Sequence, residues 1–175
     1  MEKKFVMTAF CKDRPGIVAD ITEIIFQAGC NLEDSTMTSI LDEFAIILLF
    51  SGKGDNLEEQ LLKDCRRLER EKGITAFLRP VEVKDKKSQK RIYTKTINVD
   101  GVDQSGIVYR VSRFLADDDI NIESLTSKRL ISPETGTAIY AMDIKVQIPE
   151  EISLEQLEKG LSRVGEELNV EIVIG

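Results

Sequence analysis

The sequence predicts an α+β protein of two tandem βαββαβ domains, each a four-stranded antiparallel sheet with two helices on one face. Three observations predict this fold. A stretch near the start recurs ninety residues later, both halves share one order of helix and strand patterns, and 175 residues are enough for two small domains. A period of ninety residues is too long for a solenoid unit, whose period is roughly 20–50 residues, so the repeat indicates duplicated domains.

The repeat relates residues 13–36 to residues 103–126 without a gap. Seven positions are identical in the two copies: Asp13, Gly16, Ile17, Val18, Asn31, Glu33 and Thr36. We therefore predict a first domain over residues 1–84, a basic polar linker over 85–91 and a second domain over 92–175. The alternative for the basic run at 84–91 is a contact surface for an acidic partner.

In the first half, a strand pattern at residues 5–10 precedes a helix. Its apolar stripe consists of Ile17, Ile21, Ile24, Ile25 and Ala28. Gly29 predicts the end of this helix. Strands follow over 31–40 and 44–50, joined by a tight turn at 41–43. A second helix is predicted from a capping box of Asn56 and Glu59 to Gly73, and a last strand over 75–83.

The second half repeats this order. It has strands at 92–99, 120–131, 138–148 and 170–174. The first helix carries Ile107, Val111, Phe114 and Leu115, and the second begins at a capping box of Ser153 and Gln156 and ends near Leu168. Two strand–helix–strand units in tandem can form one sheet in only a few topologies. The right-handedness of crossover connections selects the ferredoxin-like arrangement among them.

The composition excludes several classes of function. The chain has no histidine, the commonest general base and metal ligand, and Cys11, Cys30 and Cys65 lack metal-ligand spacing. The run at 117–119 is predicted to be an acidic helix end that faces solvent. A net charge of −7 argues against direct nucleic-acid binding, and no apolar run approaches the ~20 residues that span a bilayer. We expect a cytoplasmic protein without enzymatic activity, cofactor or metal.

The turn before the first helix is the candidate binding site. Pro15 suits the first helical turn, Gly16 lets backbone amides approach a ligand, and a helix N-terminus favours a carboxylate. Asp13 can accept from a ligand ammonium, and Asn31, whose strand should begin beside this turn, can both donate and accept. Together these groups suit a free amino acid. Each has a structural alternative: Asp13 as a helix cap, Gly16 as a helix–sheet contact, and Asn31 as the holder of a bend.

Asp-Arg-Pro-Gly-Ile-Val at 13–18, followed by Gly-Cys-Asn-Leu-Glu-Asp-Ser at 29–35, resembles the ACT domain, a small-molecule regulatory module of amino-acid metabolism. Two such domains in a chain of this length resemble the glycine cleavage system transcriptional repressor family. This resemblance implies an accessory regulator that senses a small amino acid, with glycine as the first candidate, and modulates a separate DNA-binding activator by protein contact. The alternative is an ACT-type regulatory subunit of an amino-acid metabolic enzyme.

ACT modules commonly bind effectors where two domains meet side by side, at the first turn and the start of the second strand. The resemblance therefore implies ligand contacts at Cys11, Asp13, Pro15, Gly16, Ile17 and Asn31, and in the second copy at Asp103, Gly106, Ile107 and Asn121. The second copy departs from the pattern because Gln104 and Ser105 replace Arg14 and Pro15. The alternative for the second turn is a packing partner that completes the first site. Pairing of exposed sheet edges between chains predicts a homodimer.

Overall fold

A computed structural model of the chain describes residues 2–82, 91–133 and 135–175. The chain divides between residues 85 and 86 into two units, each with the order strand, helix, two strands, helix, strand. The predicted linker, residues 85–91, lies outside the described residues except for Arg91, so its role stays a prediction.

The first unit is one four-stranded antiparallel sheet with two helices. Its elements are β1 (Glu2–Lys12), α1 (Ile17–Gln27), β2 (Asn31–Ile40), β3 (Glu43–Lys53), α2 (Leu57–Lys72) and β4 (Thr75–Val81). The strands lie in the order β2-β3-β1-β4, and every neighbouring pair is antiparallel. β1 and β2 therefore run in the same direction, separated by β3, a fact that decides where the candidate site residues lie.

The second unit has the same topology. Its elements are β5 (Ile92–Val102), α3 (Ile107–Asp117), β6 (Asn121–Ile131), β7 (Ala138–Pro149), α4 (Leu154–Leu168) and β8 (Val170–Ile174). The strand order is β6-β7-β5-β8, again antiparallel throughout. The predicted tandem ferredoxin-like fold is confirmed.

The core of each unit lies between its sheet and its helices. The apolar stripe predicted for α1 is confirmed, because Ile17, Ile21, Ile24 and Ile25 are all buried. Alternate residues of β1, among them Phe5 and Met7, are fully buried, as the two-residue period of a strand requires. Ile107, Val111 and Leu115 form the matching buried stripe of α3, with Phe114 packed at its side.

Three strands are longer than their apolar patterns predict by three residues or more. β1 spans Glu2–Lys12 rather than residues 5–10. β3 extends to Lys53 rather than ending at residue 50, and β5 extends to Val102 rather than residue 99. Backbone hydrogen bonds to the neighbouring strand continue past the buried side chains, so Lys53 pairs with Glu2 and Val102 with Ile139. Backbone pairing, unlike burial, does not require apolar side chains, and the sequence pattern therefore underestimates strand length.

The two helices of the first unit end where the glycines predict. Of the two predicted capping boxes, only one forms its side-chain hydrogen bond. Gly29 and Gly73 both adopt positive φ, 66° and 67°, just past α1 and α2. Ser153 caps α4, because its hydroxyl accepts a 3.2 Å hydrogen bond from the Gln156 amide. Asn56 is the N-cap residue of α2, but its side chain accepts no hydrogen bond from the helix. The Asn56–Glu59 box thus marks the helix start correctly without forming the predicted bond.

This difference predicts unequal costs for two alanine substitutions. Ser153→Ala should lower the free energy of unfolding by about 0.5–2 kcal/mol, since it leaves a first-turn amide without its side-chain acceptor. Asn56→Ala should cost less, because there is no such bond to lose. Urea denaturation followed by circular dichroism measures both, and a larger loss for Asn56→Ala would contradict the assignment of the caps.

Among the described residues, no helix has both the length and the apolar character needed to cross a bilayer.

Candidate functional site

The turn between β1 and α1 is fastened to the β2–β3 hairpin. The Asp13 backbone N–H donates to the Asp42 carbonyl at 2.8 Å, which ties the turn to the tip of that hairpin. Lys12 reinforces the contact from β1, with its ammonium 2.8 Å from the Asp42 carboxylate and 2.6 Å from that of Glu43. Pro15 and Gly16 complete the turn, exposed to solvent, and α1 begins at Ile17.

Neither Asp13 nor Gly16 has the structural role that was its alternative to ligand binding. The N-cap residue of α1 is Gly16, and no side chain accepts from the first amides of the helix, so Asp13 is not a cap. Gly16 has φ 89°, a backbone conformation that L side chains rarely adopt. A Cβ at Gly16 would approach only the Arg14 guanidinium, at 3.9 Å, so close helix–sheet packing does not explain the glycine. The conformation of the turn does.

An open depression of about 280 Å³ lies beside this turn. It is lined by Asp13, Arg14, Gly16, Ile17, Val18, Ala19, Met37, Ser39 and Phe44. The Asp13 carboxylate is exposed, and no other side chain in the described parts of the chain pairs with it. The uncapped amides of α1 carry the partial positive charge of a helix N-terminus. The depression therefore offers a carboxylate for a cation, amides for an anion, and apolar walls.

Arg14 is held by α1. Its guanidinium donates to the Asp20 carboxylate at 2.7 Å and to the Pro15 carbonyl at 3.3 Å. The Lys72 ammonium at the end of α2 lies 3.3 Å from the other Asp20 oxygen. The hydrogen bond from Arg14, and more weakly the one from Lys72, holds the pKa of Asp20 below its usual range. The Arg14 charge is thus balanced by Asp20, whereas the Asp13 carboxylate has no charged partner among the described residues.

The lowered pKa of Asp20 predicts an acid-sensitive contribution to stability. Because the folded-state pKa is depressed, the contribution is present above the ordinary value of about 4, and is lost as the pH falls through the folded value. Asp20→Asn should therefore lower the urea midpoint at pH 7 more than at pH 3. The exposed Asp55, which has no ion pair among the described residues, supplies the control Asp55→Asn, whose loss at pH 7 should be smaller than that of Asp20→Asn. Equal losses for Asp20→Asn would contradict the account.

Cys11 and Ile17 lie under the turn rather than at its surface. Ile17 is 2 % exposed and belongs to the core, although it also borders the depression. Cys11 is half-buried against that core, and burial raises the pKa of its thiol. Cys30 is also half-buried. Cys65 is buried, and this burial raises the pKa of its thiol to about 11. All three thiols are free. Cys11 therefore packs against the core of the first unit rather than being exposed at the turn.

The expectation that Asn31 begins its strand beside the turn is wrong. Asn31 pairs with Ser51, which in turn pairs with Lys4 near the start of β1. The turn follows the other end of β1, eight residues farther along than Lys4, or about 26 Å at ~3.3 Å per residue. β2 and β1 run in the same direction, so both strands begin at the end of the sheet that is farthest from the turn. Asn31 cannot reach a ligand at the turn of its own unit.

Asn121 is displaced in the same way. It pairs with Gln147 opposite Thr94, whereas the second turn follows Val102. Its amide donates to the Gln147 side chain at 3.2 Å. The ends of β2 and β3 that do lie at the first turn provide Met37, Ser39 and Phe44, which sequence reasoning missed. The signal was available, because the antiparallel order of the sheet places the end of β2 beside the end of β1.

The second turn has the same backbone and a different set of contacts. Gly106 has φ 96°, α3 has no side-chain cap, and the Asp103 amide donates to the Ala138 carbonyl at 2.9 Å. Unlike Asp13, however, Asp103 is paired, with its carboxylate 2.6 Å from Nε of Arg129. The Gln104 amide donates to the Leu168 carbonyl, and the turn is thereby connected to the end of α4.

No three His, Cys, Asp or Glu side chains within residues 2–82, 91–133 and 135–175 are placed to hold a metal ion. The acidic run 117–119 closes α3 and is exposed, with Asp117 paired to Arg113 at 2.8 Å.

Comparison with known proteins identifies the domain. Residues 3–79 match the family model of the ACT domain. A stretch of 79 residues, 45 % of the chain, is 32 % identical to the UPF0237 protein MK1213 of Methanopyrus kandleri and covers 88 % of that protein. The chain belongs to the ACT-domain family.

Three further proteins match across both units. The glycine cleavage system transcriptional repressor of Escherichia coli is 25 % identical over 167 residues, which cover 95 % of this chain and 86 % of the repressor. A crystal structure of an unknown protein from Galdieria sulphuraria superposes with a TM-score of 0.82 at 26 % identity, over 99 % of this chain and 98 % of that one. A candidate glycine cleavage system transcriptional repressor, at 23 % identity and a TM-score of 0.74, shares the fold.

Proposed function

We propose that this ACT protein is a non-enzymatic regulator that binds a small free amino acid at the turn before α1. The observation that carries the proposal is the combination, in one depression, of an unpaired Asp13 carboxylate and the uncapped start of α1. An amino acid has the complementary pair of charges. Its ammonium would pair with Asp13, and its carboxylate would accept from the amides of Gly16, Ile17 and Val18.

Glycine is the first candidate among the amino acids. The depression is open, and Val18, Met37 and Phe44 form its apolar walls. The relationship to the glycine cleavage system transcriptional repressor of Escherichia coli supports the same choice. No metal or cofactor is included in the proposal, because both ends of the ligand are recognised by the protein's own groups.

We further propose that the bound amino acid alters contact with a protein partner, a transcription factor of the glycine cleavage system, in the cytoplasm. The supporting observations are the relationship to the repressor and the lack of histidine in the chain, which disfavours an enzymatic role. The net charge of −7 favours a protein partner over direct contact with DNA. A ligand that binds one conformation better than another can shift such a contact only by its difference in affinity.

Asn31 can contribute to this site only from another ACT unit. Every residue of its edge strand, β2, is exposed, so the strand is open to pairing. If a second copy of the chain paired its β2 antiparallel to the first, its Asn31 would lie at the end where the first copy has Ile40 and the turn. We propose that Asn31 acts across such a homodimer, so that Asn31→Ala weakens effector binding only where the protein is dimeric.

A thermal-shift screen against the twenty amino acids tests the proposal, followed by calorimetry of any amino acid that stabilises the protein. We expect glycine to raise the melting temperature at millimolar concentration. At a hundredfold excess over Kd the stabilisation should be about 2.7 kcal/mol. The absence of any shift would contradict the sensor. Affinity capture with and without the amino acid then identifies the partner, and capture of a metabolic enzyme instead of a transcription factor would favour a regulatory subunit.

A further inference from the structure

The two turns of the chain have the same backbone and differ in charged side chains. The ninety-residue shift pairs Ser39 with Arg129, and the register of the sheets confirms that these positions are equivalent. Ser39 pairs with Phe44 and through it with Cys11, whereas Arg129 pairs with Tyr140 and through it with Gly101. At one corresponding point beside the turn, the first unit therefore has a hydroxyl and the second a guanidinium.

The guanidinium of Arg129 is placed on the group that would receive a ligand cation. Its Nε lies 2.6 Å from Oδ2 of Asp103, the counterpart of Asp13. In the first unit, Ser39 only lines the depression and leaves the Asp13 carboxylate unpaired within the described residues. The same carboxylate is thus open in one unit and occupied by the protein's own cation in the other.

Two further side chains fasten the second turn. The Gln104 amide donates to the Leu168 carbonyl at the end of α4, and Arg110 forms an ion pair with Glu167 on the same helix. The equivalent residues of the first unit, Arg14 and Asp20, pair with each other instead. The charged side chains near the second turn therefore form ion pairs within their own unit.

We propose that Arg129 acts as a tethered substitute for a ligand ammonium at Asp103, so that each chain binds one amino acid, at the first turn alone. This inference rests on the proposed function, since it assumes that Asp13 receives the ammonium of the effector. Ser39 and Arg129 are then the residues that decide which of the two turns binds.

Competition between a tethered and a free cation gives the proposal its physical basis. The Arg129–Asp103 pair is partly exposed, with the arginine side chain 63 % and the aspartate 29 % accessible, so the pair by itself is weak. Tethering nevertheless gives the guanidinium an effective concentration in the millimolar range or above. A free amino acid must compete with it, and the apparent Kd of that amino acid rises with the ratio of the effective concentration to the dissociation constant of the ion pair.

The test is calorimetric titration of the full-length chain with glycine, alanine and serine. The wild type is compared with Ser39→Arg and Arg129→Ser. We expect one site per chain in the wild type, a several-fold weaker affinity in Ser39→Arg, and a second site in Arg129→Ser. Thr38→Arg is the matched control, because Thr38 is exposed beside Ser39 on the same strand and its side chain lies on the other face of the sheet. It should bind as the wild type does.

The outcomes separate this inference from the proposed function. Two equivalent sites in the wild type, or equal affinities in Ser39→Arg and Thr38→Arg, would overturn the role of Arg129 and leave the sensor intact. If Arg129→Ser were the only protein to bind an amino acid, the role of Arg129 would be supported. The assignment of the effector to the first turn would be overturned. No binding by any variant, with circular dichroism showing that each is folded, would overturn both.

Discussion

Ile21→Ala is expected to lower the free energy of unfolding of the first unit by about 2–5 kcal/mol. Ile21 is 0 % exposed and lies at the centre of the α1 stripe, against the sheet. Removal of three buried carbons loses their transfer free energy and leaves a cavity that a packed core fills only in part. A loss of this size is large beside the total stability of a small domain. Urea denaturation monitored by circular dichroism at 222 nm measures it.

Phe26→Ala is the matched control on the same helix. It deletes a larger apolar side chain, but Phe26 is 81 % exposed. A substitution at such a surface position should change stability by no more than about 0.5 kcal/mol. If Phe26→Ala cost as much as Ile21→Ala, or if Ile21→Ala melted at the wild-type temperature, the face of α1 that packs on the sheet would be assigned wrongly.

Asp13→Ala is expected to abolish the stabilisation that the amino-acid effector provides. In the wild type this stabilisation should reach about 2.7 kcal/mol at a hundredfold excess over Kd. The variant should retain its fold, because the Asp13 side chain has no hydrogen bond or ion pair with the rest of the described chain, and the backbone bond to Asp42 does not depend on the side chain. What is lost is the anion opposite the ligand ammonium.

The same substitution in the second unit provides the control. Asp103 is already paired with Arg129, so Asp103→Ala should leave the effector-induced shift unchanged. Thermal denaturation of both variants with increasing glycine measures the contrast. A full glycine response in Asp13→Ala would exclude that carboxylate from the site, and a response lost only in Asp103→Ala would reverse the roles of the two units.

The fold could be predicted from the sequence because each pattern occurs twice. An apolar helix stripe such as that of Ile21 forms because one face of the helix packs on the sheet. Its recurrence at Val111 shows that the pattern is not accidental. The bulge at Glu33, with its counterpart at Glu123, could not be predicted. A bulge is a property of the pairing between two strands, whereas the identity of Glu33 and Glu123 in the repeat shows only that the position is special.

The site was predicted in part. The turn itself is local, so Asp13 and Gly16 could be located from their neighbours in sequence. The position of Asn31 depends on the order of strands in the sheet, and proximity in sequence to a helix end was a misleading guide to it. Ser39 lies on an exposed edge strand and has no pattern of its own. Its significance follows only from the contrast with Arg129, which requires the partner of each side chain to be known.

The most direct test of the central claim is a titration of ¹⁵N-labelled protein with glycine, observed through the backbone amide resonances. We expect the largest, saturable shifts at Gly16, Ile17 and Val18, whose amides would donate to the ligand carboxylate. The equivalent amides of Gly106, Ile107 and Val108 should not move. Saturation of binding without a shift at residues 16–18, or with equal shifts at residues 106–108, would contradict the assignment of the effector to the first turn.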